Sequence, residues 1–199
     1  RYTVEAHEYL LPSRDVAQFV PEGATATGVE VPASLKRWMT TQEAGSDGKA
    51  LLTLVETLRE RGYLSHALSV DETRQPAWMK PLGDYSFVPS RSGHSLDRID
   101  TLFTSLLEQQ DLVGLDGGPL LVAAAGDDEQ FAVAAAMIAQ ELGFNARIAL
   151  GARLTQPAGE EDLSVCSQGS CAGGDMAVWL EVQDADTGRW AGVDVTPQH

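Results

Sequence analysis

Three apolar stripes at helical spacing come first in this chain and three strand-like runs come last, and that order limits its fold more than any other feature. From about Asp47 to Arg61, the residues Ala50, Leu51, Leu54, Val55 and Leu58 share one helix face. Ser46 or Asp47 can cap that helix, and Gly62 is expected to stop it. Ser95 opens a second helix, in which Leu96, Ile99, Leu102, Phe103, Leu106 and Leu107 recur. A third follows Gly126, with a face of Phe131, Ala134, Ala135, Ile138 and Leu142 and a stop at Gly143. Its many alanines suit close approach to other backbone. The strand-like runs are 146–154, 176–183 and 190–195, the last two joined by a hairpin loop of Asp184, Ala185, Asp186, Thr187 and Gly188. Helices followed by antiparallel strands predict an α+β fold, with helices packed on an antiparallel sheet.

The remaining segments are read around that frame. Tyr2–Ala6 alternates as an edge strand does, 21–32 is a Gly/Thr/Pro-rich connection, and Ser34–Met39 is a short helix. Residues 65–93 are irregular, broken by Pro76, Pro81 and Pro89 and supplied with Trp78, Tyr85 and Phe87 to pin them down. The expected organisation is a lead-in over 1–32 and a domain over 33–199 carrying an irregular insertion at about 65–93. The chain opens at Arg1 rather than Met, as a processed protein or an excised fragment would.

Composition narrows function mainly by exclusion. A formal charge of −15 leaves no basic surface for a phosphate backbone, so nucleic acid is excluded as a partner. No run of eighteen apolar residues is present, and membrane attachment is expected only through segments outside this chain. Cys166 and Cys171 lie far in sequence from the four histidines, which disfavours a zinc site. A disulfide is the better reading; such a small ring contributes on the order of 2 kcal/mol before strain. It implies an oxidising compartment, at the extracellular face of a membrane or in the periplasm.

Four segments then fall into one pattern. They are Gly126-Asp127-Asp128-Glu129-Gln130-Phe131-Ala132; Leu142-Gly143-Phe144-Asn145-Ala146-Arg147, ending at Gly151; Ala177-Val178-Trp179-Leu180-Glu181-Val182; and Trp190 followed by Val193-Asp194-Val195-Thr196-Pro197. In order and spacing they resemble the transglutaminase-like superfamily, whose members carry Gly-x-Cys-x-x-Phe-Ala, Leu-Gly-x-x-Ala-Arg, His-Ala-Trp-Val-Glu-Val and Val-Asp-x-Thr-Pro. The likeness is good over roughly 120–197. The helix at 47–61 and its lead-in are more loosely similar to bacterial membrane-anchored members. The resemblance implies a papain-like core and a Cys-His-Asp triad. In that triad the thiolate sits at a helix N-terminus, where the dipole favours it. The histidine handles the proton, and the aspartate orients the imidazole.

Residue by residue, the resemblance puts Asp128 at the cysteine position and Ala177 at the histidine position; only the orienting acid, Asp194, is kept. The expectation is a pseudoenzyme, without catalytic residues and without a cofactor. Asp128 is expected to act as a helix cap. Asp194, taken as buried and deprived of its imidazole, is expected to bond to Trp179, a backbone amide or water. Trp179, Gln130 and Asp175 are expected to line the remaining pocket, and Trp190 to pack around it. Convergence of Asp128, Asp194 and Asp175 on a cation is the weaker reading, and no metal is expected. Two local motifs are set aside. Gly93-His94-Ser95-Leu96-Asp97 reads as a helix cap, since adjacent residues cannot form a triad with one another; Asp184-x-Asp186-x-Gly188 lacks the glutamate that would complete a calcium loop. The expected role is an extracytoplasmic binding or scaffolding module of a larger membrane protein, its partner a protein or a cell-envelope peptide. The alternative is a hydrolase using Asp128 and Asp194 with a metal or activated water.

Overall fold

The computed structural model describes residues 13–23, 30–64, 79, 93–155 and 164–197. The strand expected at 2–6 and nearly all of the 65–93 insertion lie outside these. Among the described residues four α-helices form: α1 (Ala33–Thr41), α2 (Gly48–Arg61), α3 (Leu96–Val113) and α4 (Asp128–Glu141). Strands β3 (Asn145–Ala152), β4 (Met176–Gln183) and β5 (Trp190–Val193) make an antiparallel sheet in the order β3-β4-β5. The architecture is α+β, as the order of stripes and runs predicts.

Helices α2 and α4 begin and end for local reasons, whereas the cap expected of Ser95 is not made: it precedes α3 without a side-chain cap hydrogen bond. Asp47 caps α2, its Oδ1 accepting from the Ala50 amide at 2.8 Å. Gly62 follows α2 in extended backbone (φ −103°), not in the left-handed stop expected of it, because the chain passes straight into β1 (Gly62–Leu64). That strand pairs in parallel with β2 (Ala124–Gly126), Tyr63 opposite Ala125. At the far end of α4, Gly143 at φ +87° lets the Gly143 amide bond to the Gln140 carbonyl and the Phe144 amide to the Ala139 carbonyl. These two bonds form a Schellman stop, and the positive φ is what requires glycine there.

The core is one cluster in which α4 is the central member. Every residue from Gln130 to Ala139 is buried, which explains the run of alanines: bulk on any side would collide with a neighbouring element. Phe131, Leu58, Trp38 and Phe103 are completely buried, and the Trp38 and Phe103 rings meet at 5.2 Å, tilted by 53°. Leu180, Val182, Ala191 and Val193 supply the sheet's buried face. Val16 and Phe19, from the 3-10 turn Ser13–Gln18, join the same cluster. Leu96, expected within the α3 stripe, is 42% exposed because it sits in the helix's first turn, beyond the packed layer.

Candidate functional site

The start of α4 is fixed by a capping box. The Asp127 Oδ1 accepts from the Gln130 amide at 2.8 Å, and Gln130 Oε1 accepts from the Asp127 amide at 3.3 Å. The cap expected of Asp128 therefore falls on Asp127. Asp128 is instead the first helical residue, where with Glu129 its charge complements the dipole. The reason is backbone geometry: Asp127 is extended (φ −113°, ψ 169°), and only a residue outside the helix can turn its side chain back onto the third amide. Gln130 is 2% exposed, and its Nε2 donates to the Gly93 carbonyl at 2.7 Å. Beside it, His94 Nδ1 lies 2.6 Å from Glu129 Oε1, both side chains about half exposed. Residues 93 and 94 thus lie against the first turn of α4.

Strand register sets the other side of the site. A helix of fourteen residues rises roughly 21 Å, and a strand returning beside it covers that length in about six residues. Gly151, six residues after Asn145, has Ala177 as its register partner. The ring of Trp179 covers Gly151 so closely that a Cβ there would sit 2.6 Å from the indole. Leu180 pairs with Val193 at the end of the β4–β5 ladder, so Asp194 follows one step beyond, level with Trp179. Positions 177 and 194 thus lie toward the same end of the sheet.

Asp194 finds one of its expected partners and a further one that was not expected. Its Oδ1 accepts from the Thr196 amide (3.0 Å) and hydroxyl (2.8 Å), so a backbone amide does bind it. Its Oδ2 takes Arg59 Nη2 at 3.2 Å, and the side chain is 45% exposed. The carboxylate is neither unpaired nor buried: a guanidinium from α2 supplies its counter-charge. Trp179 does not reach it. Its Nε1 donates to Glu181 Oε1 at 3.0 Å, while Arg147 Nε donates to Glu181 Oε2 at 2.6 Å and lies over the Trp190 ring at 4.1 Å. Strand alternation puts these four residues on the sheet face opposite the core.

Asp175 is buried, but its Oδ2 accepts from the Ala172 amide at 2.6 Å and closes the 3-10 turn that feeds β4. Among the described residues no three of His, Cys, Asp and Glu gather into a metal-binding group, so Asp128, Asp175 and Asp194 do not converge on a cation position. Cys166 and Cys171 are joined in a disulfide, and the Cys166 amide ties its loop to the Arg153 carbonyl at 2.8 Å.

The sequence profile of the transglutaminase-like superfamily matches residues 107–195, from the end of α3 through the step beyond β5. This segment is similar to a transglutaminase-like core. No curated protein matches the chain. Among solved structures, the periplasmic domain of TgpA from Pseudomonas aeruginosa is similar at 15% identity and a TM-score of 0.43, over 92% of this chain. The chain spans 46% of the length of that structure. The matched core holds α4, β3, β4, β5 and all three triad positions. His94, Gly93 and Arg59 lie before it, and sequence reasoning missed their part in the site. No local signal marks them, because each arrives from an element remote in sequence.

Proposed function

We propose that this transglutaminase-like domain does not perform acyl transfer and serves as an extracytoplasmic binding module of a larger membrane protein. The observation that carries the reading is the state of Asp194, the one triad acid kept: its charge partner is the Arg59 guanidinium at 3.2 Å. Guanidinium stays protonated in proteins and cannot relay a proton as imidazole does. Asp128, at the nucleophile position, offers a carboxylate in place of a thiolate, and carboxylates are poor nucleophiles toward amides. The Cys166–Cys171 disulfide supports an oxidising location. Attachment to a membrane, through segments outside this chain, and a protein or cell-envelope peptide as partner follow from the resemblance to bacterial membrane-anchored members. The hydrolase alternative needs Asp194 free for acid-base work or a metal, and its two oxygens are already taken by Thr196 and Arg59.

The purified domain, incubated with a glutamine-containing peptide and a primary amine or water, should release no ammonia above the buffer blank. Turnover that disappears in Asp128→Asn would overturn the reading. Restoring the chemistry tests the site's location as well. In the double variant Asp128→Cys/Ala177→His, the new thiol should react with iodoacetamide faster than a cysteine placed at exposed Thr101, with a pH midpoint below the ordinary thiol value. Equal reactivity would mean that the two positions do not face one another.

A further inference from the structure

Two arginines close the last turn of α2, and they are satisfied very differently. Arg59 meets Glu56 at 3.0 Å, Asp194 at 3.2 Å and the Thr196 carbonyl at 2.8 Å. Arg61 is half-buried. Among the described residues its hydrogen bond runs from Nη1 to Gln110 Oε1 at 3.2 Å, an oxygen that also accepts from Gln42 Nε2 at 3.1 Å. A guanidinium has five N–H donors, and no carboxylate among the described residues comes within ion-pair distance of this one. Burial pulls the Arg61 pKa below its ordinary value, outweighing the attraction of neighbouring Glu60. The helix dipole favours a cation here but fills none of its donors. A partly desolvated cation with open donors is costly unless something completes its shell.

That group borders a cavity of ≈ 470 Å³, large enough for a small molecule. Leu115, Pro119, Leu121 and Val122 give it apolar walls; Glu60 and Asp116, both exposed, contribute its remaining charge. Leu115 is 51% exposed, so apolar surface lies open in the same cavity as the cation. The chemistry that fits both halves is a carboxylate, which takes two parallel N–H donors, carried on an apolar body.

We propose that the cavity between the end of α2 and the 3-10 turn Gly118–Leu121 binds a small monocarboxylate with an apolar body, its carboxylate paired with Arg61. Such a group is found at the apolar C-terminus of a peptide or on a short aliphatic acid. The probes are N-acetyl-leucine, N-acetyl-leucine amide and hexanoate, added to the intact domain and followed by calorimetric titration and by Tm. N-acetyl-leucine should raise Tm in a concentration-dependent way, and its amide should not. Arg61→Gln should weaken binding about tenfold or more, the worth of a charge-assisted bond. Asp116→Asn should strengthen it by removing a like charge from the wall, and this variant keeps the idea testable if Arg61→Gln does not fold. Hexanoate binding as tightly as N-acetyl-leucine assigns the site to aliphatic acids, and weaker binding assigns it to peptide termini. Equal binding of acid and amide, or no binding tighter than a Kd of about 10 mM, overturns the proposal.

Discussion

Two aspartates flank strand β5, Asp184 at the start of the hairpin loop that leads into it and Asp194 directly after it, and they are held in nearly parallel ways with opposite consequences. Each accepts from a threonine downstream: Asp184 Oδ2 from the Thr187 amide (3.1 Å) and hydroxyl (2.6 Å), Asp194 Oδ1 from those of Thr196. The third partner differs. Asp184 Oδ1 takes the Val20 amide at 2.9 Å, a neutral donor, and the residue is 6% exposed. Asp194 takes the Arg59 guanidinium at the rim of a ≈ 600 Å³ groove along α2. One carboxylate is a fastening of the fold, pinning the segment after the first 3-10 turn to the hairpin. The other remains 45% exposed, one step beyond the end of β5.

The largest effect should come from breaking the closed member. Asp184→Ala leaves the Val20 and Thr187 amides without their acceptor in a part-buried setting, a loss of about 2 kcal/mol. Urea denaturation should show a lower midpoint with an unchanged slope. A loss below about 1 kcal/mol would mean that water replaces the carboxylate there, and the contrast with Asp194 would collapse.

The same contact should be visible in pH. Hydrogen bonds from Thr187 and Val20 hold the Asp184 pKa below its ordinary value, against a smaller opposing effect of burial. A carboxylate depressed in the folded state stabilises fully above its unfolded pKa of about 3.9, and that stability is lost as pH falls through the lower folded value. The gap in stability between wild type and Asp184→Asn should therefore be flat from pH 7 to about 5 and close below about 4. A gap that persists at pH 2 would assign the effect to shape and not to charge.

Much of this frame is legible in sequence, and the physical reason is that it is local. The stripe Leu51, Leu54, Val55, Leu58 fixes α2, the α4 stop at Gly143 is written in its own turn, and β4 occupies the 176–183 run from end to end. What escapes is non-local or very short. The β1–β2 pair has three residues a side, with only Tyr63 and Leu64 large among them, too few for any period to show. Arg59 reaches Asp194 across 135 positions, and His94 meets Glu129 across the span between two helix starts. The assignment of capping to Asp128 went to Asp127 because two adjacent aspartates are alike in sequence, and only backbone angles separate them.

The open member should yield the smallest effect, and it is the one that bears on the site. Asp194→Asn preserves an Oδ1 acceptor for Thr196 and removes the charge seen by Arg59. Because that pair is partly solvated, its contribution should be below about 1 kcal/mol. A double-mutant cycle with Arg59→Gln isolates the coupling, and about 1 M salt should reduce it, since screening then acts over roughly 3 Å. A salt-insensitive coupling above about 2 kcal/mol would show that Asp194 is as closed as Asp184 and that its partner has made it part of the fold. A small, screened coupling leaves Arg59 displaceable by whatever enters the groove. Asp194 is then the addressable acid at the rim of that groove.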